Sequence, residues 1–252
     1  MEKNPVKKVV RRSLLLDRVR GVAVLLMIVY HFSFDLDQYG WIHQSFNSDL
    51  RWLAFRAVIV SLFMAALGAS TVLAWPDRVD WRRLRHRQLR LGAAALTVSA
   101  ASALMFPASF IWFGILHFAW VASLAALPLR GRGWPLLVLA ALVAWAGNSL
   151  AAAFFDTPWL GWIGFMTAKP YTEDYVPLFP WFAAVLVGLF VGERLQRAAR
   201  QPLRVPTAAP AGRLDGALRL IGRHTLLLYL LHQPLLIGLL ELLQRAGFRP
   251  AA

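Results

Sequence analysis

Apolar runs close to membrane-spanning length alternate with short polar segments along almost the whole chain. Leu14–Phe34 opens the series. Arg51–Trp75, Gln88–Phe106, Phe110–Leu127, Trp134–Phe155, Leu178–Arg194 and Ala217–Leu243 follow. A helix rises about 1.5 Å per residue, and about 20 apolar residues cross the hydrocarbon core of a bilayer. The pattern therefore predicts an all-α integral membrane protein, a bundle of about seven transmembrane helices. The connections are distinct in character. Asp35–Leu50 is polar and turn-rich, residues 75–90 (WPDRVDWRRLRHRQLR) form a dense basic loop, and Arg130–Gly133 is a short turn. Asp156–Pro177 is rich in Trp, Gly, Pro and acids, and Gln196–Leu214 reads as a Pro/Arg/Ala surface linker. The expected organisation is a basic tail at 1–13, a single membrane domain at 14–244 and a short tail at 245–252. No internal repeat is visible, which argues against an inverted-repeat transporter.

Composition sharpens this reading. With 58% hydrophobic and only 16% charged residues, an ordinary soluble domain is excluded. A formal net charge of +14 would suggest nucleic acid in a soluble protein. Here the basic residues fall between the apolar runs, so topology and anionic lipid headgroups account for them, and no nucleic-acid partner is expected. With the N-terminus cytoplasmic, the inner segments collect the N-terminal cluster, Arg78–Arg90, Arg130 with Arg132, and Arg194–Arg223. The outer segments keep Arg51, Arg56, Lys169, Arg245 and Arg249, together with Asp35, Asp37, Asp49, Asp156, Glu173 and Asp174. The first run is too long for a signal-peptide core and lacks a small-residue cleavage site, so it is expected to remain as a helix. The absence of Cys excludes disulfides and thiolate chemistry. Trp41, Trp159, Trp162 and Trp181 suit an interfacial belt or a sugar platform.

The polar residues inside this pattern carry the candidate chemistry. By depth, His31 lies near the outer end of the first helix, His117 in the outer third of the fourth and His232 past the middle of the last. Asp35 follows His31 by one turn, and Asp174 stands just outside the sixth helix. Ionisable residues within a membrane are costly and face a bundle interior or a wet cavity, so matching depth argues for one shared site. The histidines come from separate helices with no His-x-x-x-His pair, and no metal is expected. A histidine oriented by an acid can take a proton from a hydroxyl or amine, or carry an acyl group itself. At the opposite end, Asp17 beside Arg18 and Arg20 reads as an ion pair and helix anchor. Arg82, Arg83 and Arg85 in the basic loop read as a topology determinant or as partners for a phosphate-rich ligand such as coenzyme A. His86 and His224 fall on the cytoplasmic side, and His43 lies in the first outer loop.

Four stretches carry a resemblance: LDRVRGVAVLLMIVYHFSFDL (16–36), WFGILHF (112–118), DYVPLFPWF (174–182) and IGRHTLLLYLLHQP (221–234). Together they resemble the bacterial branch of the heparan-α-glucosaminide N-acetyltransferase catalytic-domain family, over nearly the whole chain and in order. The opening motif is also similar to that of wider membrane acyltransferases of surface polysaccharides. The resemblance implies a multi-pass enzyme of the bacterial inner membrane that moves an acyl group from cytoplasmic acetyl-CoA to a glycan or amino-sugar acceptor on the far side. It implies an essential histidine, as acyl carrier or base. Asp17 and Arg20 become the inner-end pair; by their charge, that pair with Arg18, Arg82, Arg83 and Arg85 is expected to hold the donor, the arginines near its phosphates. His31 becomes the leading histidine, with His117, Asp174 and His232 as companions; Asp35, by its spacing one turn on, is the candidate acid that orients His31. One departure stands out. The lysosomal enzyme carries its active histidine in a His-x-x-Trp-Asn-like loop, whose nearest equivalent is His43 in IHQSFN, with Phe46 in the Trp position. The essential residue is thus His31 or His43, with His31 favoured. Partners are acyl-CoA, the acceptor and lipid, and a homodimer is among the open oligomeric states. The rivals are a transporter or flippase using the same polar cavity, and a non-catalytic membrane partner.

Overall fold

The computed structural model describes residues 13–200 and 212–248. They form eight α-helices: α1 (Leu14–Gln38), α2 (Leu50–Ala74), α3 (Trp81–Met105), α4 (Ile115–Ala125), α5 (Pro135–Ser149), α6 (Leu178–Arg200), α7 (Arg213–Arg223) and α8 (Thr225–Arg245). Short oxygen-bearing side chains start the first three. Ser13 accepts from the Leu16 amide, Asp49 from the Arg51 amide at 2.8 Å and Asp80 from the Arg83 amide at 3.0 Å, each satisfying a donor that an open helix end leaves free. Pro135 opens α5, where its missing N–H costs nothing. The expected tail at 1–13 lies outside the described residues apart from Ser13, as does the middle of the linker 196–214.

The protein is an all-helical, multi-pass membrane protein. The helices α1, α2, α6 and α8 are each long and apolar enough to cross a bilayer. α4 and α5 are shorter apolar helices, and α3 spends its first turns on basic residues. Several expected boundaries move. The segment at 82–90 is not a loop but the start of α3, because Asp80 caps a helix there. The run from Phe110 becomes helical only at Ile115, because residues 109–113 are drawn out beside 172–176. Glu173 N donates to Ser109 O at 2.9 Å and Val176 N to Phe113 O at 3.2 Å. α5 ends at Ser149 rather than Phe155, and the single last helix divides at His224 into α7 and α8.

The core lies between α2, α4, α5 and α6, where Phe118, Leu136, Val185, Leu186 and Leu189 are fully buried. The α2–α6 contact is backbone-close. A Cβ added to Gly188 would lie 2.1 Å from the Ala65 carbonyl oxygen, and one added to Gly68 would lie 2.1 Å from that of Val185. Gly188 and Gly192 are spaced as small residues are in membrane helix pairs, where close approach replaces the missing hydrophobic drive. The turn before α5 is held from α6. The buried Glu193 carboxylate accepts from Gly131 N at 2.7 Å and Gly133 N at 3.1 Å, two residues whose φ values of +79° and +68° favour glycine.

Candidate active site

The site is built where α1 and α8 meet. On α8, Tyr229, His232 and Gln233 share one face by their spacing, and on α1 His31 and Asp35 do the same. The rings of His31 and His232 lie edge to face with centroids 5.0 Å apart. His232 Nδ1 stands 2.7 Å from the Tyr229 carbonyl oxygen. Gln233 Nε2 donates to Asp35 Oδ1 at 2.7 Å. His232 and Asp35 are both buried, at 9% and 4% exposure, while His31 is half-buried.

Asp174 joins this centre through Tyr229. Its Oδ2 accepts from the Tyr229 hydroxyl at 3.3 Å and from the Ile115 amide at 2.8 Å, so the carboxylate also sits at the positive end of α4. The Tyr229 ring in turn packs against His232 with centroids 5.6 Å apart. Burial pushes the Asp174 carboxyl upward, opposed by the Ile115 amide, the Tyr229 hydroxyl and the charges of Lys169 and Arg56. There is no room for a side chain at Gly114, where a Cβ would come within 2.3 Å of Asp174 Oδ2.

The other predicted histidines stand differently. His117 Nδ1 accepts from the Gly114 amide at 3.3 Å, and its Nε2 lies 3.1 Å from Ser99 Oγ. The Ser99 hydroxyl donates to Ile111 O, so Nε2 carries the proton and donates to Ser99. Both nitrogens of His117 therefore serve to close the start of α4. His43 is exposed in the α1–α2 connection. That connection is pinned by Phe46, which packs on Phe34 and Trp52 at centroid distances of 5.4 Å and 4.2 Å.

At the other end of α1, Asp17 is fully buried between Arg20 at 3.2 Å and Arg223 at 3.8 Å. Arg18 instead forms a two-point ion pair with Asp215 of α7, which also meets Arg219 at 3.2 Å. Arg82, Arg83 and Arg85 are exposed on the first turns of α3, with Arg83 paired to Asp80 at 3.1 Å. A groove of about 300 Å³ there is lined by Arg83, His86, Arg87, Arg90, Leu91 and Leu226, so of the predicted trio it takes Arg83 alone. Arg87 is close enough to Arg20 for their charges to repel. The helical spacing of 83, 86, 87 and 90 was the signal that a loop reading conceals. Tyr229, Gln233, Arg56 and Lys169 were also missed, although the first two sit on the His232 face by spacing alone. Among the described residues, no group of three His, Cys, Asp or Glu side chains converges as a metal site. Trp159 and Trp162, with Trp112, line a further groove of about 650 Å³ beside the Phe113–Tyr175 bridge.

A histidine pair with two carboxylates at one end of the apolar helices, and an arginine cluster at the other, define a multi-pass membrane protein with an internal polar centre. The chain belongs to the heparan-alpha-glucosaminide N-acetyltransferase catalytic family, whose model matches residues 12–234 and so takes in every residue of both ends described above. It is thus a member of a membrane acetyltransferase family. No curated protein and no solved structure matches the chain.

Proposed function

We propose that the protein moves an acetyl or other short acyl group from acyl-CoA on one side of the bacterial inner membrane to a glycan or amino-sugar acceptor on the other. The observation that carries this reading is the His31–His232 pair, 5.0 Å apart, linked to Asp35 and Asp174 through Gln233 and Tyr229 inside a chain of this family. The positive-inside bias supports a cytoplasmic N-terminus with about seven crossings, which sets the arginine end toward cytoplasmic acyl-CoA. Transfer joins the acceptor nitrogen or oxygen to the acyl carbon, breaks the C–S bond and returns the acceptor's proton to the departing thiolate. Histidine suits the proton step, and His31 is also placed to carry the acyl group in between. Asp174, held at a helix N-terminus by Ile115 N and Tyr229, positions the α8 residues. The first experiment is radiolabelled acetyl-CoA supplied to proteoliposomes. CoA release coupled to label on an acceptor supports transfer, and unmodified movement of an acceptor without CoA release supports a transporter.

At the donor end, the α3 face of Arg83, Arg87 and Arg90 suits the phosphates of coenzyme A. Replacing Arg87 and Arg90 with alanine is expected to raise KM for acetyl-CoA at least about tenfold, the loss of charge-assisted hydrogen bonds, with kcat little changed. Arg82→Ala and Arg85→Ala, outside the groove, leave KM as it was. Steady-state kinetics at varied acetyl-CoA checks this, and equal effects from both pairs would remove the groove from the donor site.

A further inference from the structure

Three buried polar atoms at the α1–α8 junction have no hydrogen-bond partner among the described residues: His232 Nε2, Asp35 Oδ2 and Gln233 Oε1. Buried polar atoms are nearly always paired, so a group of three on interlocked residues calls for a common explanation. Their chemistry is uniform. A carbonyl oxygen only accepts, so the 2.7 Å contact to Tyr229 O places the proton of neutral His232 on Nδ1 and leaves a lone pair on Nε2. The Gln233 amide nitrogen is already given to Asp35 Oδ1, which leaves Gln233 its oxygen and Asp35 its second oxygen. All three orphans are therefore acceptors. They lie on residues that are consecutive on α8 or bonded across to α1. His117, by contrast, has both ring nitrogens engaged. Asp174 is committed as well, its Oδ2 bound twice.

We propose that this acceptor-only cradle binds the N–H or O–H groups of the acyl acceptor, and that His232 Nε2 is the base that removes the proton. The inference rests on the acyltransferase reading and assigns its proton step to a histidine other than the favoured His31. In the step, the acceptor's lone pair bonds to the acyl carbonyl carbon while its proton passes to His232 Nε2. The C–S bond then breaks with its electron pair leaving on sulfur, and Nε2 returns the proton to give the CoA thiol and neutral imidazole. Gln233 is a positioning residue that turns the Asp35 carboxylate so that one oxygen faces the ligand. Tyr229 is a second, because its carbonyl sets the tautomer and its hydroxyl ties it to Asp174.

The test uses the full-length protein in proteoliposomes with labelled acetyl-CoA and two probe acceptors, glucosamine and hydroxylamine. Hydroxylamine is unprotonated at neutral pH and attacks a thioester without help from a base, so its enzymatic transfer is read above the uncatalysed rate. His232→Gln is expected to slow transfer to glucosamine by about 10²–10⁴-fold, the usual contribution of a general base, and transfer to hydroxylamine by far less. Asp35→Asn is expected to raise KM for glucosamine about tenfold while KM for acetyl-CoA stays put, since an amide turns an accepting oxygen into a donor. Equal loss with both acceptors, or undiminished glucosamine transfer, overturns the assignment while leaving the enzyme an acyltransferase. Absence of acetyl-CoA turnover in the wild type overturns the acyltransferase reading itself, and the base assignment with it. Nitrogen-15 histidine spectra read the tautomer apart from turnover. An unprotonated Nε2 resonance that vanishes in His232→Gln agrees with the proposal, and a protonated Nε2 in the neutral ring overturns it.

Discussion

Replacing His31 with alanine is expected to lower acetyl transfer from acetyl-CoA by at least about 10²-fold, while His43→Ala leaves the rate near that of the wild type. The contrast comes from what each ring touches. His31 stands edge to face against His232 and one turn from Asp35, whose carboxylate is bound by Gln233, so it belongs to the only ring pair of histidines among the described residues. Its loss removes both a candidate acyl carrier and the wall that packs on His232. His43 is exposed, and the residue its loop commits to the interior is Phe46, packed on Tyr30 and Trp52 at centroid distances of 5.7 Å and 4.2 Å. The discriminating measurement is single-turnover transfer in proteoliposomes, with protein-bound label counted separately from released acetate. Protein-bound acetyl that disappears in His31→Ala and persists in His232→Gln identifies His31 as a carrier and replaces direct attack on the thioester by attack on acyl-His31. Loss of activity in His43→Ala with His31→Ala intact would shift the essential histidine to the first connection, where the lysosomal setting has its counterpart.

The helical architecture was legible because apolar run length is a strong signal, and the runs at Leu14, Arg51 and Leu178 became helices close to their expected bounds. The site was half legible, for a physical reason. Counting residues from a membrane face gives the height of a side chain but not the direction it points around its helix. His31, His117 and His232 matched in height, yet the first two diverge in direction. His31 meets His232, while His117 turns to Gly114 N and Ser99. Two further errors have local causes. Asp80 ahead of a basic stretch is a helix start in charge-rich disguise, so Arg83, Arg87 and Arg90 look like loop residues in the sequence although they share one helix face. The break at His224 has no strong breaker in sequence, since a lone Gly222 is tolerated in helices. Its cause is tertiary. Gly222 lies against Asp17 of α1, and α7 and α8 both pack on α1.

That contact gives the second large effect. Gly222→Val is expected to destabilise the protein by at least about 3 kcal/mol, the range reached when a buried ion pair loses a partner. A Cβ on Gly222 would lie 1.7 Å from the Asp17 carbonyl oxygen and 3.0 Å from Gly21 N, both backbone atoms of α1 that cannot step aside. α7 must then lift away, which moves Arg223 from the fully buried Asp17 carboxylate it approaches at 3.8 Å. Asp17 keeps Arg20 at 3.2 Å, but drawing a charged partner away from a buried carboxylate is costly. Gly216→Ala supplies the control on the same helix. Nothing lies within 4 Å of a Cβ added there, so alanine's better helix propensity should raise stability by up to about 1 kcal/mol. Thermal unfolding in detergent, followed with yield of monodisperse protein, separates the two. If Gly222→Val melts with the wild type, the α1–α7 clasp is not what holds this end together. The clasp also bears on function, because Arg20, which it fixes, lies within charge range of Arg87 in the α3 groove. A milder variant that loosens α7 without unfolding the bundle, Arg18→Ala, should therefore raise KM for acetyl-CoA through displaced arginines, although Arg18 itself is spent on Asp215 and does not line the groove.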